Sequence, residues 1–152
     1  MAQPHTPAAA AGVTRIRGAT QSDLHAVLAL WRRAAALPTV GETTESLARL
    51  IVRDPGALLV AEADGRLIGA VIAAWNGWRG SFYRLTVEPS MRRRGVATLL
   101  VRDGERRLRE LGALRVDAIV DCGDQVARAA WRALGYERQS SRGRFVRNFT
   151  PG

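Results

Sequence analysis

The sequence predicts a mixed, mostly antiparallel sheet flanked by about four helices, an α/β arrangement of the α+β kind. Three observations carry this. Segments of alternating polarity are interleaved with segments of helical period. Asp64-Gly65 separates the apolar runs "ALLVAEA" and "RLIGAVIAAW", a strong two-residue hairpin signal. A strand, a long helix and a further strand then follow one another across 81–120, the pattern of a crossover between parallel strands.

Taken in order, "VTRIRG" (13–18) alternates like a strand. Thr20 opens a helix, with Asp23 as its capping-box partner. Leu24, Val27, Leu28, Trp31 and Ala34 form one apolar face of that helix. Pro and Gly in "ALPTVGETTE" (36–45) read as a loop, and a short second helix over 43–54 is stopped by Pro55 and Gly56. After the hairpin, "NGWRG" (76–80) is a turn and "SFYRLTV" (81–87) a third meander strand. From about Arg94 to Leu111 the period is helical, with Gly104 on the apolar face so that the helix can approach the sheet closely; Gly112 ends it. "LRVDAIV" (114–120) is a strand. Ala127, Ala130, Trp131 and Leu134 mark a last helix, and "RFVRNF" (144–149) is expected to close the sheet.

The length of 152 residues fits one domain, expected over 13–152. Residues 1–12 read as a disordered lead-in, with neither the positive start nor the apolar core of a signal peptide. No apolar stretch approaches the ~20 residues of a membrane-spanning helix. The single cysteine, Cys122, excludes an internal disulfide and suits a cytoplasmic location. His5, His25 and Cys122 are scattered, so no metal site is expected. Cys122 reads as structural, since neither histidine is placed to activate it.

The net charge is +9, and all 23 basic side chains are arginine. Such a balance favours anionic partners. Dispersal of the arginines among Asp and Glu, without a basic stripe of interleaved aromatics, argues against nucleic acid. The exception is "RRRGVA" (92–97), where the charge sits at the start of a helix. Cations there oppose the helix dipole. They are accounted for if a phosphate group binds the free backbone N–H groups of the turn, with Gly95 allowing close approach and Ala97 keeping the next position small. A solvated basic loop is the plain alternative. No GxGxxG motif is present, and a P-loop is impossible without lysine.

The segment "LTVEPSMRRRGVATLLVRDGERRLRELG" closely resembles the central motif of the GNAT superfamily of N-acetyltransferases, in which a strand ending L-x-V leads through a proline to Q/R-x-x-G-x-G/A at the start of a long helix. The matching residues are Leu85, Val87, Pro89, Arg92, Gly95 and Ala97. "DQVARAAWRALGYE" (124–137) is similar to a later family segment, N-x-x-A-x-x-x-Y-x-x-x-G-F/Y. The resemblance implies acetyl-CoA as donor and an amine, on a small molecule or a peptide, as acceptor; a homodimer is left open. It implies that the backbone amides from Arg93 through Arg94, Gly95, Val96 and Ala97 to Thr98 hold the pyrophosphate, with Arg92 and its neighbouring arginines adding charge-assisted contacts to the cofactor. Leu85, Thr86 and Val87 would line the pantetheine arm, and the Leu85 amide would face the thioester oxygen. Asp124 and Trp131 fall where the family contacts the cofactor.

Two departures follow. The strand slots where the family often has Glu or His hold Ser81 and Tyr83; Tyr83 is the candidate for relaying a proton, with a core aromatic as the plain reading. Trp131 replaces the tyrosine that serves as acid, and an indole is no proton source. Glu88 adjoins the motif but is expected to point away from the thioester. Glu42 and Glu45 are candidates to contact the acceptor. The first reading is therefore an acetyl-CoA-dependent N-acetyltransferase; the second is a protein of the same fold that binds coenzyme A with weakened catalysis.

Overall fold

The protein is described here by a computed structural model covering residues 12–34 and 38–150. Of the predicted lead-in only Gly12 is among these residues. His5 and the first two positions of the 36–45 loop lie outside them. Five strands form one sheet in chain order, β1 (Arg15–Gly18), β2 (Leu58–Ala63), β3 (Arg66–Trp75), β4 (Gly80–Val87) and β5 (Val116–Ala118). The first four pair antiparallel, and β4 and β5 pair parallel. The α-helices among the described residues are α1 (Leu24–Ala34), α2 (Thr44–Arg53), α3 (Val96–Leu111) and α4 (Gln125–Ala133). None is long and apolar enough to cross a membrane.

The sheet divides two apolar cores. On one face Leu24, Val27, Leu30 and Trp31 of α1 and Leu47 and Ile51 of α2 pack on Leu58, Val60 and Ala70. On the other, Val96, Leu100, Val101 and Leu108 of α3 pack with Trp131 of α4 on Leu59, Val71, Ala73 and Phe82. Period-two alternation sends successive strand residues to opposite cores. Gly104 makes the second core possible: a Cβ there would lie 2.6 Å from the Phe82 ring and 3.1 Å from Ala73 Cβ.

Local chemistry fixes the connections. Asp64 and Gly65 both have positive φ, 51° and 71°, as a two-residue hairpin turn of this type requires. Asn76 Oδ1 accepts from the amides of Trp78 and Arg79 at 2.9 and 2.7 Å, closing the second turn. Gly112, at φ 107°, terminates α3 while the Ala113 amide donates to Leu108 O at 2.9 Å.

Three expectations are corrected. The predicted strand over 144–149 does not form: 139–150 is exposed and without secondary structure, because its alternation offers just Phe145, Val146 and Phe149 as apolar groups and no neighbour covers them. The strand read over 114–120 is confined to Val116–Ala118, since β4 bends away beyond Phe82. Thr20 opens a 3-10 turn (Gln21–Asp23) that leads into α1.

Asp23 anchors that turn. Its carboxylate accepts from the Thr20 amide at 2.7 Å and from both Nη atoms of Arg17 at 2.7 and 2.9 Å. Arg17 also donates to Glu62 at 2.9 Å, so β1, β2 and α1 meet at one guanidinium. The Arg17 hydrogen bonds hold Asp23 down at about 2, against the opposing effect of burial. A carboxyl depressed in the folded state stabilises above its unfolded value near ~3.9, and loses that contribution as pH falls through the folded value. Asp23→Asn is therefore expected to cost about 2 kcal/mol at pH 7. The difference from wild type should shrink between roughly pH 4 and pH 2, as urea denaturation across that window will check.

Candidate active site

The site is a split in the sheet. β4 and β5 pair at Gly80–Val116, Ser81–Asp117 and Phe82–Ala118, and the Ile119 amide still reaches Phe82 O at 3.3 Å. Beyond that point β4 continues to Val87 without β5 beside it. Trp131 lies where the strands part. It is 8% exposed, and its ring centroid is 5.5 Å from that of Phe82 and 4.8 Å from that of Tyr136.

A bulge re-aims β4 at the same place. Ala70 pairs with Thr86 and Ile72 with Tyr83, so one residue of β3, Val71, opposes two of β4, Arg84 and Leu85. The extra residue is Arg84, at φ 54°. An arginine in this left-handed conformation costs roughly 1–2 kcal/mol. Thr86 Oγ1 donates to Arg84 O at 3.1 Å and braces the bend. Past the bulge, the Glu88 amide donates to Ile68 O of β3 at 2.8 Å. Alternation then turns the main-chain groups of Val87 and Leu85 to the other side, into the gap. Their side chains pack on the α3 core.

At the end of β4 the chain makes a 3-10 turn (Pro89–Met91) and enters α3 through two left-handed residues, Arg93 at φ 63° and Gly95 at φ 79°. Gly95 occupies the cap position with no side-chain cap bond, leaving the first amides of α3, at Val96, Ala97 and Thr98, without helical acceptors. An added Cβ at Gly95 would meet nothing within 4 Å, so the approach to these amides is open. Arg92, Arg93 and Arg94 are exposed around them. Arg92 donates to Ala34 O at 3.2 Å. Among the described residues neither Arg93 nor Arg94 pairs with a carboxylate. The open amides and unpaired guanidinium groups suit a pyrophosphate, so the turn fits the anion that the sequence implied.

On the opposite side, toward α1 and α2, Arg84 pairs with Glu42 and Arg33 with Glu88. The Arg33 guanidinium holds Glu88 below the ordinary carboxylate range and keeps it an anion engaged in structure. Tyr83, partly buried, lies opposite Ile72. Asp124 caps α4, its Oδ1 accepting from the Ala127 amide at 2.9 Å. Tyr136 is the nearest phenol to Trp131; burial, with Glu105 nearby, pushes it up to about 12, so it stays neutral. Its hydroxyl makes no hydrogen bond among the described residues. Cys122 is exposed, as is His25.

The structure thus brings Tyr83, Leu85, Thr86, Val87 and the 92–98 turn to one end of β4, while Asp124 and Trp131 hold α4 across the gap. The sequence reading missed Arg84, because no residue type in "FYRLTV" announces a left-handed bulge.

A family profile described as "Acetyltransferase (GNAT) family" matches residues 24–136. The chain belongs to the GNAT acetyltransferase family. Among curated proteins, this acetyltransferase is 33% identical over 122 residues to an acetyltransferase of Pectobacterium atrosepticum, covering 80% of this chain and 86% of the relative. An acetyltransferase of Yersinia enterocolitica is 32% identical over 126 residues, 83% of this chain and 89% of its own. Among solved structures, the PaiA N-acetyltransferase of Thermoplasma acidophilum in complex with coenzyme A superposes with a TM-score of 0.76 at 19% identity, over 86% of this chain and 94% of that one. Ard1 of Thermoplasma volcanium gives 0.74 at 18% identity, covering 84% of each chain. With family membership established, the protein is an acetyl-CoA-dependent acyltransferase, as its central motif implied.

In this acetyltransferase Trp131 is first a packing residue. Trp131→Ala is expected to destabilise by roughly 3–5 kcal/mol, and Trp131→Phe should recover most of that by keeping a ring against Phe82. Chemical denaturation of the two variants will check the order.

Proposed function

We propose that the protein moves the acetyl group of acetyl-CoA to a primary amine, on a small molecule or a peptide, by direct attack in a ternary complex within the single domain 13–152. The observation that carries this reading is the conjunction of two features at one end of β4: a gap lined by main-chain groups of Leu85 and Val87, and an open, positively charged helix start at Gly95.

Acetyl-CoA supplies a thioester, whose carbonyl gains negative charge on oxygen as the amine adds. The amides from Arg93 to Thr98 hold the pyrophosphate, and the guanidinium groups of Arg92, Arg93 and Arg94 offset its charge. The backbone of Leu85, Thr86 and Val87 aligns the pantetheine arm as a neighbouring strand would be aligned. The Leu85 N–H donates to the thioester oxygen where charge develops, the kind of preorganised contact worth ~2.7–4 kcal/mol in acyl transfer. Tyr83, on the α1 side of the same bend, relays the amine proton through water. Asp124 and Trp131 border the far side of the gap through α4. The coenzyme A complex of the PaiA enzyme, which shares the fold, supports the placement of the donor.

With Trp131 in place of an acid, the thiol of coenzyme A leaves as thiolate, which its pKa near ~8.5 permits. Without an evident base, an α-amine, with a pKa of ~7.7–8.0, suits the site better than a lysine-like amine near ~10.4. A cytoplasmic location is part of the proposal; a single free cysteine suits a reducing compartment. Nucleic acid is not among the proposed partners, since the sequence shows no basic stripe with interleaved stacking aromatics.

Thiol release from acetyl-CoA with a panel of α-amines, arylamines and alkylamines tests the proposal. Turnover on at least one class supports transfer. Tight binding of acetyl-CoA with no turnover on any class would replace it with the reading of a coenzyme A binder. Gly95→Glu is expected to weaken acetyl-CoA binding by about tenfold or more in calorimetry, because the new carboxylate faces the phosphates. The added side chain meets open space but is strained at φ 79°, so the fold should persist in circular dichroism with a stability loss of roughly 1–2 kcal/mol. Unchanged affinity would rule out the turn as the pyrophosphate site.

A further inference from the structure

The bulge of β4 is held from outside the motif. Arg84, alone among the residues of β4, has a positive φ, and its guanidinium is engaged with one carboxylate oxygen of Glu42 through Nε and Nη2. The two side chains are 17% and 16% exposed, so the pair is largely withdrawn from water. The same Glu42 oxygen accepts from Thr39 Oγ1 at 2.8 Å. Glu42 immediately precedes Thr43, the N-cap of α2, whose Oγ1 accepts from the Ser46 amide at 3.2 Å. The carboxylate is therefore fixed by the start of a helix. The Arg84 guanidinium also stands 5.9 Å from the ring centre of Trp31, a buried residue of α1.

From this arrangement we infer that Glu42 and Arg84 are positioning residues for acetyl transfer. Their ion pair holds the Arg84 backbone in a conformation that an arginine otherwise avoids, and thereby aims the next amide, that of Leu85, into the gap. An ion pair serving stability alone has no need of the one strand residue with left-handed geometry. Glu42 belongs to the segment between α1 and α2, on the acceptor side of β4. The tie makes the placement of that segment and the aim of the donor-side amide a single mechanical setting. The inference rests on the reading of Leu85 as the donor to the thioester oxygen.

Isotope-edited infrared spectra of protein-bound acetyl-CoA, labelled with carbon-13 at the thioester carbonyl, report that donor directly. An N–H aimed at the oxygen lowers the carbonyl stretching frequency. Wild type should show a band below that of free acetyl-CoA. Glu42→Ala and Arg84→Ala should lose most of this lowering while still binding coenzyme A through the intact 92–98 turn. Arg84→Gly should restore it, since glycine adopts the left-handed conformation without the tie. A band in Glu42→Ala and Arg84→Ala matching wild type overturns the inference. So does a band in Arg84→Gly matching Arg84→Ala, because the guanidinium would then act directly and not through the backbone. A wild-type band that is not lowered at all rejects the role of Leu85 itself, and the inference with it. Arg84→Gly and Glu42→Ala carry the comparison should Arg84→Ala fold poorly.

Discussion

One extra residue in β4 governs the architecture of the site. Without it, the strand would keep its register against β3, and its free edge would continue to pair with β5. With it, the strand bends after Phe82, pairing with β5 stops, and Leu85 and Val87 present unpaired backbone to the gap. Unpaired main-chain groups are costly when buried and ordinarily avoided. In the proposed function they are the means of recognition, because a ligand could complete the ladder that β5 abandons. The local strain at Arg84 is borne by contacts around it: Thr86 below, Glu42 beside, and the shared β3 register on either side.

The second constraint is how closely α3 lies on the sheet. Gly104 removes the side chain that would strike Phe82, and Leu100, Val101 and Leu108 fill the space on either side. That close seating holds the start of α3 near the end of β4, so the open amides after Gly95 and the turned amide of Leu85 lie at the same end of the strand. The arginines at the turn are unfavourable for the helix alone. They are tolerated in a part of the chain that is exposed, and they make sense with an anion.

Much of this was legible in the chain. Asp64-Gly65 fixes the hairpin by turn chemistry, the stripe around Gly104 fixes the face of α3, and the motif from Leu85 to Ala97 marks the turn that enters α3 at Gly95. What was not legible depends on tertiary context. Nothing about an arginine between Tyr83 and Leu85 signals a left-handed residue. The strand pattern of 144–149 is real as a pattern, but a strand exists by its partners, and this segment pairs with none of the five strands. Leu30 was passed over on α1 although it is fully buried, because the helical face is wider there than a narrow stripe suggests. Trp131 falls on the apolar stripe of α4 as well as at a family cofactor position; its tilted and edge-on ring contacts with Phe82 and Tyr136 make it core, and the cofactor contact remains part of the proposal.

Each of the ion pairs described above, at Arg17, Arg33 and Arg84, draws its positive partner from guanidinium, and the chain contains no lysine at all. A guanidinium keeps its proton at any physiological pH and is no nucleophile. A catalyst that works beside a reactive thioester is thus framed by cations that the thioester cannot label. Its charge pattern is chemically inert to its own co-substrate, and side-chain self-acylation at nitrogen has no lysine to consume.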